Sequence, residues 1–275
     1  MRLDDCQIVC ISLDRRPDRW AAVKASADAA GLPLTRFRAV DAQEFETPAW
    51  ERGDVSVLTA HNLLRRSRRS HYEIDRAGAI GCSLSHFGVW RGLLHSTAPA
   101  VVIFEDDLTI PGDLRGRLEQ LCAMLPAEWD VVQLHATRFD SGMDCRPDTR
   151  LGGDGQWHTC QSLMGAHAYM VSRRGAEKLL KRAYPIELHV DAYMAFLSRL
   201  GAIRMLWHPL VNLEQGDMGS DIAHGGAGIL DVPTNMEREG VWALETRELL
   251  GIMAIAAVAG GLVAVAVSVS GNRRS

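Results

Sequence analysis

Lysine is almost absent from this chain: Lys24, Lys178 and Lys181 are the only three among 30 basic residues, which face 34 acidic ones for a formal net charge of −4. That balance excludes a protein that coats nucleic-acid phosphates with bulk positive charge, so no nucleic-acid partner is expected. The bias toward arginine carries no functional weight. No CxxC pair occurs among Cys6, Cys10, Cys82, Cys122, Cys145 and Cys160, which excludes a zinc ribbon and a dithiol redox motif. Free thiols in a reducing compartment are the expectation. P-loop, GxSxG, HExxH and GxGxxG motifs are missing too, which sets aside several common enzyme classes. No secretory signal opens the chain, because Asp4 and Asp5 precede an apolar run of only Ile8 to Leu13 with Ser12 inside it. What remains, 275 residues at 47% hydrophobic and 23% charged, is globular composition with enough length for a sizeable core.

Charge is missing altogether from Leu249 to Ser270, LLGIMAIAAVAGGLVAVAVSVS. About 20 such residues span a hydrocarbon core of roughly 30 Å. The run is rich in alanine, glycine and serine, so a buried alanine-rich tail explains it as well. Ala256, Gly260 and Ala264 recur every fourth position, a spacing that permits close helix pairing in lipid. We expect a domain over 1–224, a juxtamembrane linker over 225–248, a transmembrane helix over 249–270 and a short tail over 271–275. With no upstream signal, this arrangement predicts a single-pass C-terminal anchor and a cytosolic main domain. Arg273 and Arg274 are matched by Arg238 and Arg247, so the positive-inside rule does not set the orientation.

Ahead of that run, short apolar β-branched stretches alternate with helical patterns. Gln7 to Leu13, Phe37 to Val40, Ala100 to Phe104, Trp129 to Leu134 and Ala168 to Ser172 read as strands. Trp20 to Ala30, Gly81 to His95, Arg174 to Arg182 and Ala192 to Leu200 read as helices. The alternation predicts an α/β fold with a mostly parallel central sheet. Trp50 to Arg76, with Arg65, Arg66, Arg68 and Arg69, reads as a surface excursion.

Ligands of open α/β sheets bind beyond the carboxyl ends of the strands, where Glu105, Asp106 and Asp107 follow Val101 to Phe104. Three adjacent carboxylates suit a hard cation that bridges to phosphates, and acidic residues after strands are common enough that spacing alone favours a turn exposed to water. Asp14, Arg15, Arg16 and Arg19 follow the first strand, as a phosphate grip or as a solvated helix start. Ser85 and His86 interrupt an apolar helix, as ligand contacts or as satisfied packing residues. Asp191 reads as a general base at a helix start or as its N-cap. His208 before Pro209 reads as a metal ligand or as structure.

Taken in order, these segments resemble glycosyltransferase family 25, the group of bacterial lipooligosaccharide and procollagen galactosyltransferases. The likeness rests on residues 11–19 (ISLDRRPDR), 37–41 (FRAVD), 78–86 (GAIGCSLSH), 102–107 (VIFEDD), 129–134 (WDVVQL), Ala168 to Leu180, Val190-Asp191, Pro209 to Val211 and Ser220 to Ile222, covering roughly residues 7 to 222. It implies a GT-A-like single domain that transfers a hexose, galactose favoured, from a nucleotide-diphosphate sugar with inversion. The donor would be a UDP-hexose, and the acceptor a glycan, a lipid-linked saccharide or a hydroxylated protein at a membrane. By the same likeness Asp107 would bind a divalent metal, Mn²⁺ before Mg²⁺; Asp106 beside it and His208, from its own reading, are the further candidate ligands. Leu13, Asp14, Arg19, Asp41, Gly81, Ser85, His86, Glu105 and Asp106 would line the donor pocket. Asp191 would be the base, with Glu187 in reserve. Two departures stand out: Ala79 replaces the family's glutamate, and the excursion at 50–76 has no clear match. The competing reading is a membrane-anchored glycan-binding or scaffold protein of the same fold without turnover.

Overall fold

The computed structural model describes residues 1–135, 145–152 and 154–213. Strand β1 (Gln7–Ser12) leads into helix α1 (Pro17–Ala29), whose Pro17 sits in the first turn, where its missing N–H leaves no bond unmade. Gly31, at φ +67°, ends that helix in the left-handed region. The chain continues through β2 (Thr35–Arg38), α2 (Val57–Arg65), α3 (Ala77–Leu94), β3 (Ala100–Glu105), α4 (Leu114–Met124) and β4 (Val131–Gln133). There follow β5 (Cys145–Pro147), β6 (His158–Cys160), β7 (Ala168–Ser172), α5 (Arg173–Leu180), α6 (Val190–Arg199) and β8 (Met205–Trp207). Ser56 and Ser172 cap α2 and α5 by accepting from the Thr59 and Gly175 amides.

Among the described residues one sheet holds all eight strands, in the order β2-β1-β3-β7-β4-β8-β6-β5. It is mixed rather than mostly parallel. β1 pairs in parallel with β2 and β3, and β4 with β8, but β7 lies antiparallel between β3 and β4. β6 is antiparallel to β5 and β8. The reason is connectivity: the chain travels from β4 to β7 through β5 and β6 instead of one crossover helix, so β7 enters the sheet from its other end. Hydrophobic patterning reports which residues are buried and not which way a buried strand runs.

The pleat divides the core into two layers. Ile11, Val101, Ile103, Val131, Tyr169 and Val171 pack against α3, α5 and α6. Ile8, Cys10, Val102, Phe104, Val132 and Met170 pack against α1 and α4. Each fully buried side chain of this size contributes roughly 1.5–3 kcal/mol.

Two expectations need correcting here. The 50–76 segment is not a surface excursion throughout, because it contains α2 and sends Arg68 inward to 1% exposure, beside Asp75 at 3.9 Å. Nor are all thiols free: Cys145 and Cys160 oppose each other across β5 and β6 and form a disulfide, while Cys6, Cys10, Cys82 and Cys122 remain reduced. The segments 225–248, 249–270 and 271–275 lie outside the described residues, as does the Ser220 to Ile222 match. Among the described residues no helix is long and apolar enough to cross a membrane.

Candidate active site

β1 connects through α1 to β2 on one side and β3 through α4 to β4 on the other, which opens a crevice at the carboxyl ends of these strands. The crevice is a cavity of about 270 Å³. Of the expected site residues, Leu13, Arg19, Asp41, Ser85, His86, Glu105, Asp106, Asp107 and Asp191 line it together, joined by Arg15, Cys82, His167 and His189.

On the α3 side a buried hydrogen-bond chain ends at Glu105. The Trp90 indole, which can only donate, reaches the Tyr169 hydroxyl at 3.1 Å. That oxygen lies 2.7 Å from His86 Nδ1, and His86 Nε2 lies 3.1 Å from Glu105 Oε1. A carboxylate can only accept, so both ends set the direction for a neutral imidazole: Trp90 donates to Tyr169, Tyr169 to Nδ1, and Nε2–H to Glu105. Burial works against charge on Glu105, yet the His86 bond, aided by His86, His167 and His135 nearby, holds its carboxyl below the usual glutamate range. His135 and His167 stack at 3.8 Å, with His135 Nε2 at 3.1 Å from the Gly165 carbonyl. Burial pushes His135 down to about 3 and lowers His167 too.

The α1 side is charged. Asp106 meets Arg19 at 3.4 Å with both side chains nearly covered. Burial raises its carboxyl above the usual aspartate range, against the opposing pull of the Ser12 hydroxyl and Arg19. Asp107 is also buried. At the rim, Arg15 Nε pairs with Asp41 at 2.7 Å, while Asp41 accepts from the Gln43 amide and caps the short turn behind it. Gly81 lies just behind the lining, where its role is close approach: a Cβ there would stand 2.5 Å from the Val40 carbonyl oxygen. Ser85 completes that junction by accepting from the Val40 amide at 2.8 Å and donating to the Gly81 carbonyl at 2.7 Å.

Asp191 sits in the first turn of α6, with Oδ1 accepting from the Ala192 amide at 2.8 Å and Oδ2 from the Gly165 amide at 3.0 Å. Three expected residues stay away from the cavity. Asp14 is half exposed and paired with Arg36 and Arg38. Glu187 is exposed and accepts from the Ser56 hydroxyl. His208 is not brought to Asp106 or Asp107: its Nε2 faces Asp154 at 3.0 Å, its Nδ1 accepts from the Leu210 amide, and its ring packs on Trp157. Cys82 was readable from its four-residue offset to His86 on one helix. Tyr169, His167 and His189 gave no comparable signal.

The sequence model described as glycosyltransferase family 25 (LPS biosynthesis protein) matches residues 6–194. A probable inactive glycosyltransferase 25 family member 3 of Bos taurus is 27% identical over 250 residues, 87% of this chain and 38% of its own length. A glycosyltransferase 25 family member of Drosophila melanogaster is 26% identical over 195 residues, 70% of this chain and 30% of its own. This chain therefore spans well under half the length of these relatives. A CMP:2-keto-3-deoxy-manno-octonic acid synthetase complexed with CTP aligns over 88% of this chain and 99% of its own at 14% identity and a TM-score of 0.40.

Proposed function

Because the chain belongs to glycosyltransferase family 25, we propose that it transfers a hexose, galactose favoured, from a UDP-sugar to a saccharide or hydroxylated acceptor, with a GT-A-like use of its cavity. The observation that carries the reading is the convergence of Glu105, Asp106 and Asp107 with Arg15 and Arg19 at the mouth between β1, β2 and β3. Oxygen donors of this kind suit a hard divalent ion, and an Asp106 carboxyl whose ionisation burial opposes is one a cation would favour. Mn²⁺ held by Asp107 and Asp106 would supply Lewis-acid neutralisation of the diphosphate leaving group.

The remaining steps belong to the chain's own residues. Arg15 and Arg19 offer guanidinium donors to phosphate oxygens. Glu105, ionised with one oxygen held by His86, leaves its other oxygen to accept from a ribose or sugar hydroxyl. Asp191 is the proposed base, since two backbone amides fix its carboxylate beside the cavity while lone pairs remain for the acceptor hydroxyl. The acceptor is proposed to be membrane-presented, with 249–270 as the anchor. A cytosolic catalytic domain requires Cys145 and Cys160 to be reduced in the cell, since a reducing compartment dissolves such bonds. Alkylation of both thiols at lysis supports that side, and protection of both overturns it.

The test is calorimetric titration of the full chain with UDP-galactose, UDP-glucose and UDP, each with and without Mn²⁺. Metal-dependent binding of one UDP-sugar supports the reading, and Asp107→Ala then weakens it by about a hundredfold or more, the several kcal/mol such an ion contributes. Equal affinity in the variant sinks the metal assignment, and no binding of any UDP species overturns the donor class. A second reading is favoured by the word inactive in the names of the bovine and human relatives: a glycan-binding protein without turnover. It predicts neither sugar transfer nor donor hydrolysis.

A further inference from the structure

We infer that Cys82, His86 and Glu105 form a separate cation site, selective for a thiophilic divalent ion such as Zn²⁺. Cys82 and His86 lie one helical turn apart on α3, and Glu105 ends β3 opposite them. Their ligand atoms all fall within 4.8 Å of one another, and all three residues line the cavity. The separation of His86 Nε2 and Glu105 Oε1, 3.1 Å, is close to the roughly 3.3 Å between two ligand atoms about 2.0 Å from one tetrahedral ion. The Cys82 sulfur needs about 3.6 Å to its neighbours on the same ion, and it lies within 4.8 Å of both. Tyr169 against Nδ1 already orients the imidazole, the part an outer-shell partner plays in metal sites.

Chemistry separates this site from the carboxylates beside it. A sulfur, a nitrogen and an oxygen are a zinc-type donor set, whereas Mn²⁺ and Mg²⁺ prefer oxygens throughout. Burial, with Glu105, Asp191 and Asp107 nearby, keeps the Cys82 thiol protonated when no cation is present. The same three carboxylates attract the ion that would displace that proton. On binding, the Cys82 S–H proton leaves to solvent and the S–metal bond forms. The His86–Glu105 hydrogen bond breaks, and each residue gains a metal bond. The ring proton moves from Nε2 to Nδ1, where the Tyr169 oxygen accepts it as the hydroxyl turns its own hydrogen away. One proton is released per ion, and the fourth ligand position faces the cavity.

Occupation takes Glu105 away from any sugar hydroxyl, so a bound thiophilic ion excludes the donor. That consequence alone rests on the transferase reading; the site itself does not. The test therefore uses the full chain, metal-free, titrated with Co²⁺ as a spectroscopic stand-in for Zn²⁺. One equivalent should produce a thiolate-to-cobalt charge-transfer band with intense four-coordinate visible bands, release one proton, and be bleached by Zn²⁺ and not by Mn²⁺. Cys82→Ser should abolish the charge-transfer band and weaken Zn²⁺ binding more than about tenfold. A Cys6→Ala, Cys122→Ala double variant, which removes two thiols that neighbour each other elsewhere, should keep the band. Absence of the band, its survival in Cys82→Ser, or its loss in the double variant overturns the site. If the site stands and no UDP-sugar binds, the transferase reading fails by itself.

Discussion

At the carboxyl end of β3 the pleat sends Glu105 toward the α3 face and Asp106 toward the α1 face, and these neighbours meet opposite electrostatics. Glu105 is approached by a buried, directed chain of Trp90, Tyr169 and His86, and despite its burial the His86 bond and the histidines nearby let it ionise more readily than a free glutamate. Asp106 is approached by a formal charge, Arg19, yet at 3.4 Å and with little solvent left its carboxyl stays harder to ionise than a free aspartate. A well-aligned donor whose own partners are satisfied thus outweighs burial, whereas a looser ion pair does not. The rim teaches the same lesson from the other side. Asp14, Arg38 and Glu44 are well paired and remain in water, where screening leaves such pairs little weight in stability.

The strongest way to test the α3 face is acid. The folded chain refuses a proton on His135 until about pH 3, while the unfolded chain takes one near 6.5. The stability this group contributes is complete above pH 6.5 and is lost as pH falls from there toward 3, at up to about 1.4 kcal/mol per pH unit. Denaturant unfolding between pH 6 and 4 should show that slope, and His135→Asn should flatten it by about one proton; an unchanged slope would show that His135 charges freely in the fold.

A comparable effect is expected of Tyr169→Phe, which strips a partner from both Trp90 and His86. About 2–4 kcal/mol of stability should go, because two buried polar atoms are left unmade. Adding Trp90→Phe should cost less than the sum of the single changes, since the indole then has no bond left to lose. Strict additivity would break the chain into unrelated contacts. The smallest effect belongs to the rim: Arg38→Ala should leave unfolding stability unchanged within error, and a clear loss there would erase the contrast between water and interior.

Much of this frame was legible in advance. Ala168 to Ser172 is a strand end to end, and β1, β3, α1, α3, α5 and α6 fall within a few residues of their expected bounds, because burial periodicity and turn residues are local signals. The acidic run after β3 pointed to the cavity for the same reason. The surroundings of His208 are not legible in the sequence, because a lone histidine carries no record of its partner, here Asp154 from a distant turn. Arg68 read as part of a basic surface run, yet the fold turns it inward beside Asp75. The Cys145–Cys160 bond needed the β5–β6 pairing to bring two of six cysteines face to face.

Where strands and helices lie and which charges sit at strand ends can be read from the chain alone, since both depend on neighbours a few residues away. Only the tertiary structure decided that β7 runs against β3, and with it that Tyr169, 83 residues from His86, closes the chain that holds Glu105. Contacts over such separations depend on sheet order and direction, and those are set by how buried surfaces fit together rather than by any local pattern.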